Sequence, residues 1–279
     1  MRWYTFIPFF FSFLTMVGAM KGTTNDVLLL SAGKTPGRAA EEVHWLFGGG
    51  TRELPASFLL KDQQPPMVAD LYLSGGKLGE LIVKGLPFRS VANEDFPALR
   101  EGIFSLELPQ VKKAVRMVLI IRIDGKNAGL RDAVASIPLM VCPNTLLTQL
   151  AKRFADEATV GHSLTLSLFG EMQGLRELLR LKQVPFEDLG KDFPAKLSAG
   201  SVTVGDLPKD LPIPSLSLAP GSSLMVFHDD PDSPENITVT SRDRSIEMVI
   251  HQASPNCWAE DAKAQKLLYD IIQKTPSIL

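Results

Sequence analysis

The sequence predicts two domains, an N-terminal all-β sandwich followed by an α/β domain built on a mainly parallel sheet. Three observations predict it. Between His44 and Asp124 the chain is a series of short β-rich runs separated by turn signals, which is the pattern of a sandwich. Beyond residue 131, apolar strand-like runs alternate with amphipathic helical stretches, which is the pattern of an α/β layer. The length of 279 residues accommodates two domains of ordinary size. The divisions that follow are a leader over 1–19, a sandwich over 20–130 and an α/β domain over 131–279.

The leader has the form of a secretory signal peptide. Arg2 supplies a positive start, "WYTFIPFFFSFLTMV" is an uncharged apolar stretch, and Val17 and Ala19 place small residues at the spacing a signal peptidase needs. As a membrane span it is short, since a bilayer needs roughly 20 apolar residues. The expectation is a secreted or periplasmic protein, with an uncleaved, anchoring signal as the alternative. No later stretch is long and apolar enough to span; "MVLIIRI" is interrupted by Arg122. Lys plus Arg (29) nearly balances Asp plus Glu (31), a net charge of −2, which excludes a general electrostatic attraction to nucleic acid.

The sandwich strands are expected in "EVHWLF", "ASFLLKD", "MVADLYLSG", "GELIVKG", "GIFSLELP" and "VRMVLIIRID". Gly48-Gly49-Gly50, Pro65-Pro66 and Gly75-Gly76 punctuate them. In "VADLYLSG" the alternation of Val68, Asp70 and Tyr72 with Ala69, Leu71 and Leu73 predicts a strand buried on one face. In the second half "IPLMV" leads into "TLLTQLAKRFADEA", where Leu146, Leu147, Leu150, Ala151 and Phe154 share a helical face. "SLTLSLF" leads into "EMQGLRELLRLKQ", with Met172, Leu175, Leu178 and Leu179 in register, and its Glu177 and Arg180 one turn apart on a solvated face. "SLMVF" follows, then "ENITVTS" and "SIEMVIHQ" as a hairpin. The helix "WAEDAKAQKLLYDIIQK" sets Ala264, Leu267, Leu268, Ile271 and Ile272 on one face.

Chemistry is sought at the carboxyl ends of the α/β strands, where open sheets present their ligands. Cys142 ends "IPLMV" at a strand-to-helix turn, and His228 ends "SLMVF"; parallel strands would bring both to one crest, with Asp230 in "HDDPD" to orient the imidazole. That relay is the catalytic alternative. Against it, Met140, Val141, Pro143 and Asn144 are not the small neighbours of a nucleophile elbow, and Pro143 removes an amide that an oxyanion would use. A disulfide with Cys257 and an inert core thiol are the competing readings of Cys142. "HDDPDSPEN" lacks the spacing and glycine of an EF-hand, and the isolated histidines share no ligand spacing, so neither a metal nor another cofactor is expected. Trp45 and Tyr72 are the aromatic candidates for stacking on a sugar face, and core packing is the competing reading of both.

Two segments, "GLRELLRLKQVPFEDLG" and "PNCWAEDAKAQKLLYDIIQK", together resemble parts of the glutamine-amidotransferase-like, flavodoxin-like domains of exported bacterial carbohydrate-active proteins. In the second, Trp258, Asp261, Ala264, Gln265, Leu267 and Leu268 carry a "W-x-x-D-x-x-A-Q-x-L-L" helix. The resemblance covers the C-terminal half and implies a three-layer flavodoxin-like α/β domain in a carbohydrate-linked setting. Active class I amidotransferases carry G-x-C-x-G and His-x-Glu; this chain has neither. The expectation is therefore an exported binding or structural protein, accessory to polysaccharide or cell-envelope processing, whose partner is a glycan or an envelope protein.

Overall fold

The structure, a computed structural model, describes residues 27–31, 43–60, 66–75, 79–92, 99–124, 133–191, 196–197, 201–206, 217–218, 222–227, 238–241, 246–251 and 258–275. The first half forms one eight-stranded sheet from β1 (Val27–Ser31), β2 (His44–Phe47), β3 (Gly50–Leu60), β4 (Met67–Leu73), β5 (Glu80–Ala92), β6 (Leu99–Leu108), β7 (Val115–Ile123) and β8 (Ala133–Cys142). Its order is β1-β3-β6-β5-β4-β7-β8-β2, antiparallel except for β2, which runs parallel to β8. The sheet rolls on itself until β1 comes near β8.

Period-two patterning determines which face goes inside. Leu54, Ala56 and Phe58 of β3, Met67, Ala69 and Leu71 of β4, and Phe104, Leu106 and Leu108 of β6 are buried in one core. Met117, Leu119 and Ile121 of β7 and Ile137, Leu139 and Val141 of β8 complete it. Each large aliphatic side chain taken from water there contributes about 1.5–3 kcal/mol, and a one-residue slip in any strand would expose its whole set. Phe58, Phe88 and Phe104 form an aromatic triad in this unit, with ring centroids 5.2, 6.4 and 5.1 Å apart.

The roll has a defined corner. Residues Leu81 to Pro87 of β5 pair with β4, whereas Phe88 to Ala92 pair with β6. The register against β4 shifts on both sides of Leu71, so β5 carries two extra residues there, one at each shift, and Gly85 takes a left-handed φ of +70°. Asp70 holds this bulge. Its Oδ1 accepts the Gly85 amide at 2.7 Å, and its Oδ2 accepts Nε of Arg122 on β7 at 2.9 Å. Asp70 and Arg122 are 2% and 7% exposed, so this is a buried ion pair outside the main core. β4 is accordingly buried on both faces from Met67 to Leu71, not on one face as its alternation predicts. The outward side of its alternation is where the charged pair lies.

The second half contains α1 (Leu146–Thr159), β9 (Thr165–Phe169), α2 (Gln173–Leu181), β10 (Glu187–Asp188), β11 (Lys196–Leu197), β12 (Ser201–Asp206), β13 (Ser217–Leu218), β14 (Ser223–Phe227), β15 (Thr238–Ser241), β16 (Ile246–His251) and α3 (Ala262–Lys274). A six-stranded sheet runs β10-β9-β12-β14-β16-β15, parallel except for β15 against β16; β11 and β13 form a separate parallel pair. The apolar stripes of the three helices meet strands β9, β12 and β14 in a second core, which contains Leu150 and Phe154 of α1, Leu175 and Leu179 of α2, and Leu268 and Ile272 of α3. Trp258, before α3, is fully buried in it. Asp261 caps α3 by accepting the Ala264 amide at 2.7 Å, and Gln265 Nε2 donates to the Trp258 carbonyl at 2.7 Å. Arg153 of α1 donates to the carbonyls of Ile272 and Thr275 at the far end of α3.

This architecture corrects the expected fold. The protein is mostly β, and the second half is not a helix-rich flavodoxin-like three-layer domain. Among the described residues there are three helices, and none stands between β12 and β14 or between β14 and β16. The sequence between β12 and β14 carries Pro208, Pro212, Pro214 and Pro220, residues that remove the amides a crossover helix needs. "IPLMV", expected to open the α/β sheet, lies in β8 and pairs antiparallel with β7. An apolar run bounded by a helix signal reads the same in either sheet. The first half is one rolled mixed sheet rather than two stacked sheets.

Asp70→Ala should destabilise the fold by about 3–5 kcal/mol in urea melts, because it leaves the Arg122 charge buried and unpaired. Asp70→Leu combined with Arg122→Met should regain most of that. Burial alone would push the Asp70 carboxyl up, but the Arg122 hydrogen bond and the Gly85 amide outweigh it and hold it below the ordinary range. Its stability is therefore whole above the unfolded carboxyl range and lost as pH falls through the lowered folded value. The double variant should lack that acid limb; an Asp70→Ala variant as stable as the parent would remove the argument.

Candidate functional site

The C-terminal end of β8 is where the two units meet. Cys142 is the last residue of β8 and is fully buried with Phe47, Leu146 of α1 and Ala262 of α3. Trp45, Met140 and Tyr269 pack against this cluster. Burial pushes the Cys142 thiol up to about 11, with Lys266 pulling it down and Asp270 adding to the rise. Cys142 is a free thiol. A thiol that stays protonated and is covered on every side is a poor nucleophile at neutral pH.

The glycine run explains how the chain passes this point. The Gly48 amide donates to the Cys142 carbonyl at 2.9 Å, extending the β2–β8 pairing by one bond. A Cβ on Gly48 would lie 2.4 Å from the Pro109 carbonyl oxygen and 3.1 Å from a Val141 methyl. Gly48 thus permits the close approach, and Gly49 and Gly50, at φ of +78° and +155°, turn the chain from the edge strand β2 across to β3.

Beside Cys142 lies a cavity of about 230 Å³ between the units. The turn before β7 contributes Lys112 to Ala114, the β8–α1 turn contributes Pro143 and Leu146, and α3 contributes Lys266 and Tyr269. Gln149 of α1 also lines it, and its Nε2 donates to the Thr145 hydroxyl at 3.0 Å. Lys266 pairs with Asp270 one turn along α3.

The remaining sequence candidates fall as follows. His228, Asp230 and Cys257 lie outside the described residues, as does the rest of "HDDPDSPEN". β8 and β14 belong to different sheets, so Cys142 and the end of "SLMVF" do not share the single crest that the relay presupposed. Trp45 and Tyr72 are both half-buried. Trp45 pairs with Met140, Met140 with Arg116, and Tyr72 with Val118, which sets the two aromatics on the outer face of the same sheet. Three strand spacings separate them, on the order of 15 Å. Among the described residues no cluster of His, Cys, Asp and Glu is arranged to hold a metal ion.

Sequence reasoning missed a bidentate polar constellation in the second unit. Arg176 of α2 donates Nε and Nη2 to the two oxygens of Asp188, both at 2.9 Å, and Nη1 to the Gly170 carbonyl at 2.9 Å. The Arg176 hydrogen bond and the Gly190 amide hold the Asp188 carboxyl below its ordinary range. This clamp ties α2 to the ends of β9 and β10. On the same helix Glu177 accepts from Gln173 at 2.6 Å and Arg180 stands 5.5 Å over the Phe186 ring. No spacing rule marks a bidentate arginine whose partner is 12 residues on. The lysine-lined cavity was also missed, since "VKKAV" reads as ordinary surface charge.

No family model matches this chain, and no curated protein does. Among solved structures, a Niemann-Pick type C2 protein from Japanese carpenter ant is 9% identical over 42% of this chain and 89% of its own, with a TM-score of 0.25. The BTLA ectodomain is 8% identical over 42% of this chain and 95% of its own, with a TM-score of 0.23. At these TM-scores neither likeness bears on function.

At neutral pH Cys142 should react with an alkylating agent only as fast as the fold opens, and at once in denaturant; rapid labelling of the native protein would overturn the buried-thiol geometry. The stability that the neutral thiol contributes is whole below the ordinary thiol range and declines as pH climbs toward about 11. Cys142→Ala should therefore flatten the alkaline side of the stability profile measured by thermal melts.

Proposed function

We propose that this chain is an exported, non-catalytic binding or structural protein, accessory to polysaccharide or cell-envelope processing. The observation that carries the non-catalytic part is the closure of the β8 end. Its cysteine is sealed between two strands and two helices and held protonated, so the position at which a hydrolase would keep its nucleophile serves as packing. Export rests on the signal-like segment over residues 1–19. A glycan or envelope-protein partner is supported by the half-buried Tyr72 on the outer sheet face, whereas Trp45 on the same face packs against the Phe47–Cys142–Leu146–Ala262 cluster.

The test compares the parent with Trp45→Ala, Tyr72→Ala and Cys142→Ser, each purified as the exported protein. In affinity electrophoresis through polysaccharide-containing gels and in sedimentation with peptidoglycan, the parent should be retained. Tyr72→Ala should weaken retention several-fold in a protein that still folds, and Cys142→Ser should leave retention unchanged. Ester or glycoside turnover that vanishes in a folded Cys142→Ser variant would establish the hydrolase reading instead.

A further inference from the structure

We propose that the cavity between the two units binds a small oxyanion, a carboxylate or phosphate group carried on a compact ligand. The cavity is about 230 Å³, room for one functional group with a few carbons, and it draws lysines from two separate parts of the fold. Lys112 and Lys113 come from the turn before β7, and Lys266 comes from α3. Asp270 offsets Lys266. The charges of Lys112 and Lys113 remain, on a chain whose net charge is −2.

The surroundings suit an anion with a carbon skeleton. Leu146 and the Tyr269 ring form an apolar side on which lysine stems and ligand carbons can lie. Tyr269 and Gln149 are the neutral polar residues of the lining, with the Gln149 Nε2 already donating to the Thr145 hydroxyl. Lys112 and Lys113 stand side by side on the rim of this half-open cavity, and an oxyanion between two like charges turns their repulsion into attraction. Exposed lysines are screened, so affinity should be modest, with Kd on the order of 0.1–10 mM. A ligand here touches both units, so binding should raise the melting temperature through mass action. This inference is independent of the envelope reading, because it concerns small anions and purified full-length protein.

The experiment measures binding of inorganic phosphate and of sodium glucuronate, with glucose as the neutral control, by calorimetry and thermal melts at constant ionic strength. At least one anion should bind and raise Tm while glucose does neither. Phosphate alone would identify a phosphate-ester ligand, glucuronate alone a carboxylated one, and both the shared chemistry. Lys112→Ala combined with Lys113→Ala, on exposed turn positions, should weaken binding about tenfold with the ligand-free Tm unchanged. Lys266→Gln provides a second variant on a different element and should weaken binding likewise. No binding beyond that of glucose, or folded variants that bind as well as the parent, would overturn the proposal.

Discussion

One carboxylate sets the geometry of the β unit. Asp70 accepts from a backbone amide on β5 and from a guanidinium on β7, joining three strands where β5 changes partner. Without that bulge β5 would continue straight along β4, and β6, β3 and β1 would extend the sheet instead of folding back over it. The inner face would then have no opposing layer, and the alternating side chains of five strands would face water. The cost of burying Asp70 is offset because each of its oxygens has a charged or amide donor. The carboxylate thus ties the corner at which the core closes and β1 approaches β8.

The rolled sheet has a second consequence at its far end. The end of β8 becomes a pole where the glycine run, the turn before β7, the start of α1 and the side of α3 converge. Gly48 permits the approach of backbone to backbone, and Cys142 fills the space beneath α3 as a small apolar group. The two halves are thus joined by packing as well as by sequence, and the charged cavity lies at the seam.

Much of this was legible in the residues. Six strand-like runs before Asp124 correspond to β2 through β7, and the stripes Leu147–Leu150–Phe154 and Leu268–Ile271–Ile272 mark helix faces that are buried. The terminal "W-x-x-D-x-x-A-Q" pattern acts through packing, with Trp258 in the core, Asp261 as cap and Gln265 on the Trp258 carbonyl. What could not be read is pairing between distant segments. Periodicity says that Ile137, Leu139 and Val141 form a strand but not which sheet receives them, and so β8 was placed with the wrong neighbours. The same gap conceals the Asp70–Arg122 pair, whose partners are 52 residues apart, and the cavity, whose lysines become neighbours only after α3 docks. The candidate site was legible only in part: the sequence singled out Cys142, but desolvation, which decides its chemistry, is a tertiary property.

The cluster around Cys142 joins residues 47, 142, 146 and 262, so it closes some of the largest loops in the molecule. Contacts of such long sequence range form late, because the entropy of closing the loops must be overcome before the contacts return anything. During N-to-C synthesis the β unit has its inner core as soon as β8 emerges, yet Phe47 and Cys142 have only Leu146 of α1 to cover them until Ala262 arrives more than a hundred residues later. A nascent chain halted anywhere in that interval presents a cysteine and an unsealed apolar edge together. The parallel edge strand β2 is therefore where premature partners would add themselves to the sheet, and α3 acts as the closing piece that ends this exposure.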